Sequence, residues 1–212
     1  MSKSRVETFS DGIFAIAITL LVLTIAQPKN YHDLGRSLAN SWPDFAAYVV
    51  SFAIIGIMWL NHHAVFARLE TVDRGFTYLN FLLLMTITFL PYPTGVFGQA
   101  LKQGQGAKTA AVFYAATMAV NAYAWVALWL YASRGRRLLR PDFPEDRRGG
   151  ATIAFNGGAV VYTAAVGIAF LSPYAALAFQ GALALYYAFD PLSRRVERAM
   201  GSDADAAVSD GD

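Results

Sequence analysis

Apolar residues gather into six long runs along the chain, with polar residues marking the gaps between them. The runs are Phe9–Ala26, Trp42–Phe66, Gly75–Phe97, Thr109–Ala132, Gly150–Phe170 and Pro173–Phe189. A helix needs roughly 17–25 residues to cross hydrocarbon, and the runs match that length, the last being the shortest. Helix is predicted throughout, because lipid offers no partner to backbone N–H and C=O groups and a helix pairs them internally. Pro91 and Pro93, in FLPYPTG, are expected to kink or end the third helix near its far end. Residues 199–212 carry Asp203, Asp205, Asp210 and Asp212 among small residues and read as an acidic disordered tail. The chain thus divides into a six-helix domain, 1–198, and that tail.

Composition sharpens this picture. Only 15% of residues are charged, against roughly 25% in soluble domains, so lipid is the expected solvent. With the amino terminus placed in the cytoplasm, the inner segments hold 13 Lys and Arg residues and the outer ones 4. That bias predicts six spans with both termini inside. The basic stretch Arg134–Arg148 lies between two spans, which assigns it to topology or to anionic lipid rather than to nucleic acid. Lys3 and Arg5 before the first run suit a secretory signal peptide, but Asp11 inside the run and the lack of an A-x-A-like site argue against one. Cysteine is absent, so there is neither a disulfide framework nor a thiolate metal site.

Topology converts sequence position into depth. Asp11 follows Arg5 by six residues, about 9 Å of helix. His63 precedes Arg68 by five on a descending helix, and Asn80 follows Arg74 by six on a rising one. Ser10, Asp11, Trp59, Asn61, His62, His63 and Asn80 are therefore predicted to share one layer near the inner face, where an unpartnered polar group is costly. Each has a plainer role open to it. Ser10 or Asp11 can cap the first helix, and Trp59 can be an interfacial anchor. His62 and His63 point about 100° apart, which suits hydrogen bonding or proton sensing better than a metal site. On the first helix, Ile16, Leu20, Leu23 and Gln27 fall within roughly 40° of one line, with Thr19 about 60° to the side and Asp11 about 140° away. From periodicity alone that stripe reads as ordinary lipid contact or core packing ahead of a functional lining, and composition does not decide the matter.

The stretch RVETFSD fits the signature R-x-x-x-F-S-D, here Arg5, Phe9, Ser10 and Asp11. Together with MWLNHHAVF in the second run and YLNFLLLMTITFLPYPTG in the third, it resembles the prokaryotic branch of the endosomal and lysosomal potassium channels called transmembrane protein 175. The resemblance is close over the first three helices and rests on topology for the rest.

What the resemblance implies is an all-α integral membrane protein with six transmembrane helices per chain, helix one of each subunit lining a central pore in a homotetramer. Family pores are constricted by apolar side chains five, nine or twelve residues after the signature Asp, with a threonine layer at eight in some members. Those offsets land on Ile16, Leu20, Leu23 and Thr19. The expected function is potassium-selective conduction across a bacterial plasma membrane, with Arg5, Ser10 and Asp11 as scaffolding for helix one. The potassium filter T-V-G-Y-G is missing, as it is in the family. No cofactor and no metal are expected, the permeant ion aside, and the partners are membrane lipid and three further copies, not nucleic acid. An enzyme reading has no nucleotide motif, catalytic triad or metal set to build on. The alternative is a proton-coupled secondary carrier that relays through Asp11, His62 and His63.

Overall fold

The computed structural model describes residues 2–28 and 31–189 of the chain, so the acidic tail and its expected disorder lie outside the described residues. The described residues are helical. Helix α1 spans Lys3–Leu20 and runs into a 3₁₀ turn, Leu21–Thr24; the others are α2 Leu34–Ala39, α3 Trp42–Ala67, α4 Arg74–Phe89, α5 Pro91–Gln103, α6 Ala107–Ser133, α7 Glu145–Leu171 and α8 Pro173–Phe189. Five of the helical segments are long and apolar enough to cross a membrane: Lys3–Thr24, Trp42–Ala67, Arg74–Gln103, Ala107–Arg136 and Glu145–Leu171. The sixth expected span, α8, has 17 residues.

Both boundaries of the first helix differ from the sequence expectation. Helix α1 starts six residues earlier than its apolar run, with Lys3 to Thr8 in regular helix. It stops earlier as well: Ile25 is extended (φ −78°, ψ 111°), so residues 25 and 26 lie past the helix end. In the third run, as one of the two outcomes expected at Pro91 and Pro93, the helix is interrupted at Leu90 and then resumes. Pro91 has no N–H to donate, yet Leu90 keeps helical angles and α5 continues to Gln103. The short helix α2 was not foreseen. It forms in the loop after the first span, with the Asp33 side chain accepting from the Arg36 N–H.

Helix α1 packs on α3 and α4, α3 on α5, and α4 on α6; α6 then packs on α7 and α8, and α8 returns to α3. The core runs through Phe14, Phe66, Phe76, Leu83 and Trp129, all buried. Both ends are pinned by polar bonds. At the amino-terminal end, the Lys3 ammonium donates to the Leu69 carbonyl at 2.7 Å, and the chain after α3 pairs with that after α6 through Glu70 N–H to Leu138 O (2.9 Å) and Arg140 N–H to Arg68 O (3.0 Å). There Asp73 caps α4 by accepting from Phe76 N–H at 2.8 Å. That bond, with help from Tyr131 and Arg137, holds its carboxyl below the usual carboxylate range. At the other end, Lys102 reaches Ser41 Oγ (2.7 Å) and the buried Asp44 (3.3 Å). Gly98 permits the approach, since a Cβ there would meet the Asp44 Cα at 3.0 Å.

Candidate functional site

The first helix has two unlike faces. On one, Val6, Ser10, Phe14, Ala17 and Leu21 are buried against α3 and α4. On the other, Ile16 is 53% exposed, Leu20 41% and Leu23 76%, with Thr19 also exposed. The predicted stripe is thus the face that the chain's own helices leave open. The 3₁₀ turn changes its geometry. At about 120° per residue, positions three apart eclipse, so Leu23 comes directly over Leu20 instead of drifting away from it. Gln27 lies three residues beyond the turn in non-helical chain, so the helical count that put it on the stripe does not reach it; the residue is exposed. The Thr19 hydroxyl donates to Ile16 O at 2.9 Å, which spends its proton within the helix and leaves the oxygen's lone pairs outward.

The buried face is tied by directed hydrogen bonds. Ser10 Oγ–H donates to Val6 O (2.8 Å), and so Oγ accepts from Asn80 Nδ2–H on α4 (2.9 Å). Asn80 Oδ1 then faces His62 Nε2 on α3 at 2.9 Å. A carbonyl oxygen can only accept, so His62 donates through Nε2–H, and among the described residues its Nδ1 has no hydrogen-bond partner. The imidazole is buried among rings: Phe66 stacks at 4.4 Å, and Phe14 meets it edge-on at 5.3 Å. Asn80 therefore joins all three helices, in a setting where a lost bond leaves a polar group without water.

The other layer residues pair separately. Trp59 Nε1–H donates to Asp11 Oδ1 at 2.9 Å, tying α3 to α1. His63 points outward, with Nδ1 3.4 Å from Glu7 Oε1, an ion pair when the imidazole is protonated. Phe9 is half exposed and sets its ring edge-on to Phe81 at 5.7 Å. Three expectations need correction. Neither Ser10 nor Asp11 caps α1, because that helix begins at Lys3, a full two turns earlier. Asn61 is exposed at the wall of a cavity instead of joining the layer's bonds. Arg5 is exposed and bonds no described residue, so its guanidinium does not hold α1 to α3 and α4 within the chain. Glu7 and the aromatic cage around His62 escaped the sequence reading. Glu7 was findable, since it lies four residues before Asp11 and shares its side of the helix.

Among the described residues, no group of three or more His, Cys, Asp or Glu side chains converges on a metal-sized site. Comparison with known proteins gives the arrangement its context. The family profile described as endosomal/lysosomal potassium channel TMEM175 matches residues 5–91. A protein from Streptomyces collinus named as a potassium channel is 44% identical over 190 residues, covering 89% of this chain and 92% of its own. The chain belongs to the TMEM175 family. The human endosomal/lysosomal proton channel TMEM175 is 39% identical over 101 residues, 43% of this chain and 20% of that one. Among solved structures, the crystal structure of a lysosomal potassium-selective channel TMEM175 homolog from Chamaesiphon minutus superposes with a TM-score of 0.79 at 36% identity, over 88% of this chain and 96% of that one. The TMEM175 profile ends at Pro91, so it spans α1, α3 and α4 and hence every residue of the polar layer.

Proposed function

We propose that the chain is one subunit of a homotetrameric, potassium-selective channel in a bacterial plasma membrane, with six spans, both termini cytoplasmic and α1 of each subunit lining the pore. The observation that carries this reading is the open face of α1. Ile16, Thr19, Leu20 and Leu23 are exposed, while the opposite face is locked by the Ser10–Asn80–His62 bonds. Those bonds set the rotation of α1 about its own axis, which a lining helix requires and a lipid-facing one does not. The names of the Streptomyces and Chamaesiphon relatives support the ion, and the excess of Lys and Arg on one side supports the orientation.

Four copies about an axis turn each exposed side chain into a ring. Rings of Ile16, Leu20 and Leu23 make a narrow apolar passage, which can gate by dewetting. A cation entering it sheds water, and potassium holds its water less tightly than sodium, so the larger ion loses less. The Thr19 oxygens, with their protons turned to Ile16 O, replace part of that water. Gln27 lies at the outer entrance. The carrier alternative is disfavoured by the bonding. Asp11, His62 and His63 engage Trp59, Asn80 and Glu7 respectively, and no described hydrogen bond links them to one another.

The test is ion flux from liposomes holding the full-length protein, with potassium, sodium and protons compared. Potassium flux that exceeds sodium flux and follows the electrochemical gradient is expected; saturable, proton-coupled uptake would overturn the channel. The cysteine-free chain also permits thiol scanning. Ile16→Cys, Thr19→Cys and Leu23→Cys should react with a small water-soluble reagent and lose flux. Ala17→Cys and Leu21→Cys, at buried positions, should stay silent. Equal labelling of both faces would remove α1 from the ion path.

A further inference from the structure

Away from α1, a cavity of about 830 Å³ lies between α3, α6, α7 and α8. Its volume is within the roughly 300–1,000 Å³ of ligand sites, and the conduction path proposed above does not use it. The cavity exists because α7 turns Gly150, Ala154 and Gly158 towards it, one every fourth residue, with too little side chain to fill the space. Among the described residues, a Cβ at Gly158 would meet only the Tyr187 hydroxyl within 4 Å, at 3.9 Å. Ile54, Met58, Trp125 and Phe155 supply apolar walls.

The mouth is of the opposite character. Arg68, Arg140 and Arg147 stand there with one carboxylate, Asp142. Arg140 satisfies Asp142 through two bonds of 3.1 and 3.2 Å. Arg68 and Arg147 form no ion pair among the described residues. Arg68 is held over the Trp129 and Phe143 rings at 5.9 and 5.8 Å, which positions its guanidinium without neutralising it. Burial, and then the Arg147 charge, hold that guanidinium below its ordinary range, and an anion between the two arginines would relieve both.

Length completes the match. From Gly150 to Tyr162 the α7 wall runs 12 residues, about 18 Å at helical rise, and one leaflet's hydrocarbon is about 15 Å deep. We propose that this cavity binds an anionic glycerophospholipid from the leaflet on the arginine side, with its phosphate between Arg68 and Arg147 and an acyl chain along Gly150, Ala154 and Gly158. The leaflet is the inner one in the orientation proposed above, but binding does not depend on that orientation or on ion conduction.

Native mass spectrometry of the full-length protein in detergent, with phosphatidylglycerol or phosphatidylcholine of identical acyl chains added, tests the site. Phosphatidylglycerol should be retained about tenfold better, the scale expected of two cations near a lipid anion. The pair Arg68→Gln and Arg147→Gln should erase that preference, and Gly158→Leu, which fills the cleft, should lower retention of both lipids. Equal retention of the two lipids by the unmodified protein overturns the proposal, as does full displacement of phosphatidylglycerol by inorganic phosphate. Should the variants fail to fold, a phosphatidylglycerol with a photoreactive acyl chain should crosslink the unmodified protein between Gly150 and Tyr162. Crosslinks confined to other segments would equally refute it.

Discussion

The first three long helices and the last two are held together by different means. Helices α1, α3 and α4 are joined by side chains that name their partners: Ser10 with Asn80 across 70 positions, Asn80 with His62, Asp11 with Trp59. Helix α7 lies on α6 through stacked rings, Trp125 on Phe155 at 5.9 Å, and through small residues, with Trp129 Nε1–H reaching Thr152 at 2.9 Å near one end. A directed hydrogen bond specifies depth and rotation together. Close approach of small residues specifies distance and leaves hollows, here one of about 830 Å³. The family profile, residues 5–91, covers the first region and stops short of the second.

The comparison breaks most directly at Asn80. Asn80→Ala strands the His62 Nε2–H and removes a donor from Ser10, both buried, at a cost of about 2–3 kcal/mol. Thermal unfolding in detergent should fall by roughly 5–10 °C. A loss no larger than that of a surface substitution would show that this network is incidental. Asp11→Ala should cost less, about 1 kcal/mol, because it removes one bond at a half-buried site. Its readout is selective: assembly weakens, seen as a lower oligomer fraction by size-exclusion chromatography, while potassium-to-sodium preference stays.

The remaining two changes sharpen the contrast from the permissive side. The Gly158→Ala methyl meets only ordinary van der Waals contact, the Tyr187 hydroxyl at 3.9 Å, so helix propensity governs, and stability should rise by a few tenths to about 1 kcal/mol. A drop on the same thermal scan would mean that α7 packs more tightly than its cavity implies. Thr19→Val should move stability least, within about 0.5 kcal/mol, since only a bond to its own helix is lost. Flux assays should nevertheless show an altered potassium-to-sodium preference, because the outward oxygen is gone. An unchanged preference would take Thr19 out of the ion path.

The chain's own pattern of apolar and polar residues determined that it is helical and membrane-length, which residues of α1 share a line, and that Ser10, Asp11, Trp59, His62 and Asn80 sit at one depth. These follow from rise and turn per residue, which are properties of a single helix. The signature Arg5, Phe9, Ser10, Asp11 was legible for the same local reason. Tertiary structure alone decided who bonds whom: Asn80 at the junction, Asp11 with Trp59, Glu7 with His63, and Arg5 and Asn61 with neither network. It also decided that α1 tightens into a 3₁₀ turn, setting Leu23 over Leu20 and leaving Gln27 beyond helical counting. The hollow under the arginines belongs to the same class. Periodicity gives an angle within one helix, but the rotation of that helix against its neighbours, and the space left between them, depend on side chains that sequence places dozens of residues apart.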